Sequence, residues 1–359
     1  MKTRVLREEV EKPSSHSLAA ALVLLIIVGG VLLYYPALYG LLSSMTKPLG
    51  TLGSTSTTTE GASSSVSVYS PVIQGGAANI SYPSDYSVLA SYALDTINKD
   101  RAKFGLGPVS LSPIVAGQQH ADSMLYFGYF SHWDTQGFKP YMRYTLLGGV
   151  GAVQENVAYE FWSGPHFTSV SSVEAAISSL EFSMMYNDSV CCNNGHRDNI
   201  LNPLHDRVSI GIAYNATRLY FVEDFENFYI RMAWSVSQGY EVTLTGVPVN
   251  TSVKGSSIAV FYDPTPEPLS VQALNSGPRE YTPGTLIGGV LQPCSYLCPY
   301  FSNGITVYAS QWVYTPSQLS IIFSLSKFVQ QSGPGVYTLY MLTGSSTDTA
   351  ITSISIFVR

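Results

Sequence analysis

Gly195-His196-Arg197-Asp198-Asn199-Ile200-Leu201-Asn202-Pro203 sets an imidazole, a guanidinium, a carboxylate and two amides in one short run closed by proline. Polar groups at that density, between apolar patterns on both sides, read as a loop held by its own hydrogen bonds, with Arg197 and Asp198 locking it. On the N-terminal side, Ser171-Ser172-Val173-Glu174 has the spacing of a capping box. It opens a helix whose apolar stripe is Val173, Ala176, Ile177, Leu180 and Met184. On the C-terminal side, Val208–Tyr214 and Arg218–Asp224 read as two strands joined by a turn at Asn215.

The same reading extends outward. Leu89, Tyr92, Ala93, Ile97 and Phe104 recur at helical spacing from Ser84 to a stop at Gly105. Ser112-Pro113 offers an N-cap and a first-turn proline for a helix through Ile114, Ala121, Met124 and Leu125 to Gly128. A short helix is expected over Pro140–Leu147. Two further polar stretches interrupt the apolar pattern, Phe130-Ser131-His132 and Gln154-Glu155-Asn156-Val157-Ala158. Helices followed by strands in one stretch give an α+β layer structure.

Taken in order with Asn98-x2-Arg101-x3-Gly105-Leu106, Gln119-His120-Ala121 and Phe221-Val222-Glu223-Asp224-Phe225, these pieces resemble the CAP superfamily, the SCP-like domain of cysteine-rich secretory, antigen 5 and pathogenesis-related proteins, in its prokaryotic branch. The resemblance spans residues 80–230. It implies a three-layer α-β-α sandwich with an open cleft lined by two histidines and two acids. Carried over, the histidines are His132 and His196 and one acid is Glu155. The position matching the second acid is Ser183, and Glu181 beside it is the alternative acid.

The residue types allow three readings. Imidazoles with carboxylates hold zinc with open positions for water, so His132 and His196 are the candidate metal ligands and Zn2+ the candidate cofactor. A carboxylate beside a neutral histidine orients it as a general base, which would make a hydrolase. Buried His–Glu pairs also serve simply to satisfy one another. The sequence contains no HExxH, no GxSxG and no cysteine placed as a nucleophile. His120 reads as a core histidine, His166 and His205 as solvated loop residues.

Residues 235–359 carry only strand patterns: Tyr240–Val247, Ser257–Tyr262, Ile305–Ser310, Leu319–Phe323, Val336–Leu342 and Ala350–Val358, punctuated by Asp263-Pro264-Thr265-Pro266 and Gly333-Pro334-Gly335. Many short strands between turns predict an all-β sandwich of immunoglobulin-like type, with a structural or adhesive role.

The N-terminus is of another kind. Ser17–Leu42 carries no charge, with Lys2, Arg4, Arg7 and Lys12 before it and Lys47 after. Its length and flanks predict a transmembrane signal anchor, with 1–16 cytoplasmic and the rest outside. Residues 43–79 form a Ser/Thr-rich linker. Sequons at Asn79, Asn187, Asn215 and Asn250 all fall on the outer side. Charged residues make up 12% of the chain and the net charge is -6, which argues against a nucleic-acid partner. Of the four cysteines, Cys294 and Cys298 are spaced to close a small loop, and Cys191–Cys192 would form a vicinal bridge. A four-thiolate zinc site would need two distant segments to meet. The expectation is a single-pass membrane protein whose extracellular cleft binds a metal or an envelope lipid, glycan or protein. The alternatives are a metal-dependent hydrolase and a purely structural surface protein.

Overall fold

A computed structural model describes residues 67–71, 83–302, 304–344 and 349–359. The residues expected to form a cytoplasmic tail (1–16) and an anchor (Ser17–Leu42), the Asn79 sequon and most of the expected 43–79 linker lie outside the described residues. Among the described residues no helix is long and apolar enough to cross a membrane. All of them fall within one compact unit.

The chain runs β1 (Val68–Tyr69), α1 (Tyr86–Lys103), β2 (Ser110–Leu111), α2 (Ala116–Phe127), α3 (Pro140–Leu146), β3 (Ala152–Phe161), α4 (Val170–Tyr186), α5 (Asp188–Cys192), α6 (Gly195–Ile200), β4 (Arg207–Tyr214) and β5 (Arg218–Asn227). Strands β2, β4, β5 and β3 form a four-stranded sheet in that order. Side chains alternate across its faces. Val208, Ile210 and Ile212 of β4, with Leu219, Phe221 and Phe225 of β5, pack under Leu89, Ala93 and Ile97 of α1 and Val173, Ile177 and Met185 of α4. The opposite face carries Val157, Ala213, Tyr220 and Val222 against Ala121 and Met124 of α2. Helices on both faces give the expected three layers. Helix α2 approaches β4 so closely that a Cβ on Gly211 would sit 2.0 Å from the Gly117 carbonyl oxygen, so the contact requires glycine. Gly128, at φ 75°, ends α2 as expected.

Two helix starts differ from the sequence reading. The capping box belongs to Ser169 and Ser172, so α4 begins before the predicted position and Glu174 lies inside it. Helix α2 begins at Ala116 because the Ser112 hydroxyl is bonded elsewhere, to the Glu226 carboxylate at 3.0 Å and to Tyr144 Oη at 2.9 Å.

The remainder is β6 (Ile230–Val236), β7 (Glu241–Pro248), β8 (Ser257–Asp263), α7 (Val271–Ser276), β9 (Thr285–Leu291), β10 (Ile305–Tyr308), β11 (Gln311–Thr315), β12 (Gln318–Ser324), α8 (Ser326–Ser332), β13 (Gly335–Leu342) and β14 (Ala350–Val358). These make a six-stranded sheet, β1-β14-β13-β8-β9-β10, and a four-stranded sheet, β11-β12-β7-β6. One apolar core joins them, with Val242, Leu244, Ile321 and Phe323 on one side and Val260, Leu339, Ile354 and Ile356 on the other. The disulfide Cys294–Cys298 lies between β9 and β10 and does not bridge the sheets. Part of the expected linker belongs here, since Val68 and Tyr69 pair with Val358 and Phe357.

Strand β14 is buried on both faces. Ile354 and Ile356 enter the sandwich, while Phe357 joins Phe138, Tyr141, Met142 and Val153 of the helical part in a shared core. The Ser355 amide donates to Thr145 Oγ1 at 3.1 Å and Ser353 Oγ to the Gly151 carbonyl at 3.1 Å. The Ser/Ile alternation of the last strand therefore marks a polar seam against α3 and the start of β3. The 80–230 and 235–359 segments are tied together by that seam.

Candidate ligand cleft

Glu155 occupies the middle of β3, paired in register with Asp224 of β5. Both project to the face covered by α2 and α3 and are buried there. Three side chains converge on the carboxylate. His132 Nδ1 lies 2.9 Å from Oε1, His120 Nδ1 2.7 Å from Oε2, and Arg143 Nη2 donates to Oε2 at 2.6 Å. The neighbouring Asp224 carboxyl is pushed well above the usual carboxylate range by burial first and by the negative charge of Glu155 second.

Burial alone would raise the Glu155 carboxyl too, but His120, Arg143 and the histidine hydrogen bonds outweigh it and hold the group well below its ordinary value. His120, with its side chain fully buried, is itself pushed down to about 4, by burial first and Arg143 second. Arg143 is the permanent positive charge facing Glu155. Burial would depress that guanidinium, and Glu155, Asp134 and Asp224 more than offset it. Arg143 also donates from Nη1 to the His132 and Phe138 carbonyls at 2.8 and 2.7 Å, which fixes the backbone at His132.

His196, at the start of α6, is held by a different carboxylate. Its Nδ1 lies 2.6 Å from Asp188 Oδ1, and its backbone N–H donates to Asp188 Oδ2 at 2.9 Å. His132 and His196 line the same cavity, of about 960 Å³, with Gln154, Glu155, Asn156 and Asn199. Each has its Nδ1 engaged by a carboxylate, and neither Nε2 has a hydrogen-bond partner among the described residues. That arrangement fixes the tautomer with Nδ1–H donating and leaves a lone pair on Nε2.

The opposite wall comes from the β-sandwich. Ala259, Phe261, Leu286, Phe301 and Tyr340 line the same cavity. A strap between β8 and β9 crosses from one half to the other. Asp263 accepts from Lys139 Nζ at 2.7 Å and from Tyr141 Oη at 2.6 Å, and the Leu269 amide donates to the Thr135 carbonyl at 2.9 Å. Arg279 Nη1 donates to the Phe130 carbonyl at 2.7 Å. Tyr281 ends the strap over the cleft, its ring 4.8 Å from that of His132 and its oxygen accepting from the Glu155 amide at 2.8 Å.

Sequence reasoning placed His132, Glu155 and His196 at one cleft, and all three line the cavity. Glu181 does not line it. It lies under α4 on the other face of the sheet, fully buried against Glu223, which Asn156 Nδ2 contacts at 3.1 Å. Burial first and the neighbouring Glu223 charge second push Glu181 well above the usual range, and burial raises Glu223 as well. Ser183 is exposed and bonds its own helix at the Ser179 carbonyl. The acid that serves His196 is Asp188. His205 is buried, not solvated, bridging Asn227 Oδ1 at 2.7 Å and Asn199 Oδ1 at 2.8 Å. His166 stacks on Trp162 at 4.0 Å.

With the geometry in place, comparison fixes the class. Residues 94–225 match the family model described as CAP, the cysteine-rich secretory protein family. That segment is thus similar to the CAP family. Two solved bacterial structures show local similarity. One is an extracellular protein containing an SCP domain from Bacillus anthracis strain Ames, 19% identical with a TM-score of 0.27, covering 38% of this chain and 39% of that one. The other is the CAP domain of enterococcal PrgA, 14% identical with a TM-score of 0.29, covering 40% of this chain and 63% of that one. The chain thus spans less than two thirds of either. No curated protein sequence matches it.

Proposed function

We propose that this is a surface binding protein whose CAP cleft takes an amphipathic envelope ligand, a lipid or a glycolipid, between the histidine wall and the β-sandwich. The carrying observation is the two-sided cavity, with His132, Glu155 and His196 on one wall and Phe261, Leu286, Phe301 and Tyr340 on the other. A polar head finds oriented imidazoles and amides, and an apolar chain finds aromatic and aliphatic side chains. The anchor at Ser17–Leu42 holds these halves outside the membrane, with the exposed Asn187 and Asn215 as glycan acceptors. The β-sandwich acts as the second wall.

A zinc ion has little support on the histidine wall, because among the described residues the group whose ligand atoms lie together is Asp188, Cys191, Cys192 and His196, without His132 or Glu155. His132 and His196 offer one ring nitrogen each, Glu155 has both oxygens engaged, and Asp188 is the partner of His196. If zinc binds, His132 and His196 hold it through Nε2 while Glu155 and Asp188 orient the rings, and the ion supplies a Lewis-acidic contact for a ligand oxygen. The engaged state of Glu155 disfavours the hydrolase reading, because it is not free to act as a base.

The test is native mass spectrometry of the full chain purified from its own envelope, beside Phe261→Glu. Retention of an amphipathic molecule by the wild type and its loss in the variant support the proposal. A wild type that retains nothing, with envelope lipid extract restoring nothing, refutes it.

A further inference from the structure

The segment from α5 to the start of α6, which carries Asp188, holds two cysteines that the cleft chemistry does not use. Ligand atoms of Asp188, Cys191, Cys192 and His196 all lie within 4.8 Å of one another, and this is the metal-competent group of His, Cys, Asp and Glu among the described residues. Cys191 and Cys192 are bonded to each other, with Cα atoms 3.8 Å apart. Cys191 Sγ is 3.7 Å from Asp188 Oδ1, and His196 Nδ1 is 2.6 Å from the same oxygen. The chain folds back between the cysteines and the histidine through two consecutive left-handed residues, Asn193 at φ 50° and Asn194 at φ 66°. Asparagine tolerates that conformation, so the return is built into the sequence. Cys191 is exposed and Cys192 lines the cavity, so both sulfurs are open to reagents.

We propose that Asp188, Cys191, Cys192 and His196 form a redox-gated site for a soft, zinc-like divalent cation, closed while the cysteines are bridged and created when they are reduced. In the bridged form the sulfurs carry no charge and are poor ligands. An external dithiol opens the bridge. Its thiolate attacks one sulfur, a mixed disulfide forms, and its second thiol resolves that intermediate. The protein gains two electrons and two protons as two thiols, and the reductant leaves as its own disulfide. Cation binding then releases the two thiol protons, leaving two thiolates, one carboxylate and one neutral imidazole around the metal.

The geometry suits a tetrahedral centre. Zinc–sulfur and zinc–nitrogen bonds of about 2.3 and 2.0 Å separate tetrahedral ligand atoms by roughly 3.3–3.8 Å, within the spread already present once the sulfurs part. Two thiolates select zinc, cadmium or similar soft ions over magnesium or calcium. Binding would take His196 Nδ1 from Asp188, so the redox state of the loop would reset one histidine of the cleft wall. This site stands whether or not the cleft takes an amphipathic ligand.

The experiment uses the full chain with Cys294→Ser and Cys298→Ser, so that the second bridge contributes no thiols. Cadmium is titrated before and after reduction with a phosphine, which does not compete for the metal as a dithiol would, and thiolate-to-cadmium absorption in the ultraviolet is followed. One equivalent should bind with that absorption after reduction and none before. Cys191→Ser with Cys192→Ser should abolish it, and Asp188→Asn or His196→Ala should each weaken it about tenfold or more. Equal binding by the bridged and reduced forms overturns the proposal. Unchanged affinity in both Asp188→Asn and His196→Ala overturns it too, by showing a bare dithiol. Should a variant fail to fold, the unsubstituted protein provides the check: cadmium must protect Cys191 and Cys192 of the reduced chain from alkylation, read by peptide mass, and absence of protection contradicts the site.

Discussion

The Tyr281 hydroxyl oxygen accepts a hydrogen bond from the backbone N–H of Glu155 at 2.8 Å, across 126 residues of sequence. A side chain from the β-sandwich thereby completes the strand that carries the central acid of the CAP cleft. Tyr281→Phe leaves that buried N–H without its partner and should cost about 1–3 kcal/mol. Tyr281→Ala removes the ring from His132 as well and should cost more, about 3–5 kcal/mol. Hydrogen exchange checks the assignment, since Tyr281→Ala should speed exchange across the strap between β8 and β9. Unchanged exchange there would show that Tyr281 does not hold the strap.

Arg143 and Glu155 form a buried ion pair at 2.6 Å with both side chains nearly inaccessible. Removing one partner of such a pair leaves the other charge uncompensated. Glu155→Gln should therefore destabilise by about 3–5 kcal/mol, and Arg143→Met by a similar amount. Denaturant unfolding measures both. A loss below 1 kcal/mol in either would mean that solvent reaches the pair.

The buried His120 sets an acid limit. Its folded value is depressed to about 4, mainly by burial, against about 6.5 for a free histidine. The unfolded chain thus binds the extra proton between those values. Stability is full above about pH 6.5 and is lost as pH falls towards 4, by about 3 kcal/mol for this group. His205, depressed to about 3 by burial, acts in the same direction. His120→Asn should remove roughly half of the loss between pH 6.5 and 4. An unaltered pH dependence in that variant would assign acid sensitivity elsewhere.

Glu181 and Glu223 behave oppositely. Burial raises both, so their contribution is full below the unfolded carboxylate value and is lost as pH rises through the folded one. A glutamine at 181 imitates the protonated acid. Glu181→Gln should change stability at pH 7 by less than about 0.5 kcal/mol, or raise it, and should flatten the decline as pH rises above the unfolded carboxylate value. A loss of several kcal/mol at pH 7 would show that a charged Glu181 is needed.

The zinc reading of the histidine wall has its own check. In a zinc titration of the full chain with its disulfides intact, His132→Ala and His196→Ala should each weaken binding sharply, because each removes one of two ring donors. His166→Ala, a residue stacked on Trp162, should leave binding unchanged. Unchanged affinity in both cleft variants would leave the hydrogen-bonded network as the sole role of these histidines.

Much of the CAP half was legible because its signals are local. The helix and strand periods of α1, α4, β4 and β5 are written in consecutive residues, and His132, Glu155 and His196 stand in polar runs that interrupt them. Arg143 was hidden because it sits in an apolar helix, Tyr141-Met142-Arg143-Tyr144, where a charge has no local reason to be buried. The reason is Glu155, on the neighbouring strand. Asp188 was obscured inside a loop that local spacing does not resolve. Tyr281 and the strap lie in a Pro/Gly-punctuated stretch without period, and their partners are far off in the chain. The alternation of β14 was visible, but nothing local says that both of its faces meet protein.

The most direct test of the composite cleft is an experimental structure of the full chain purified from its native envelope. The account predicts an elongated ligand in the cavity, its polar end at His132 and His196 and its apolar part against Phe261 and Tyr340. A cavity occupied only by water, or a ligand seated elsewhere with these four side chains untouched, would contradict it.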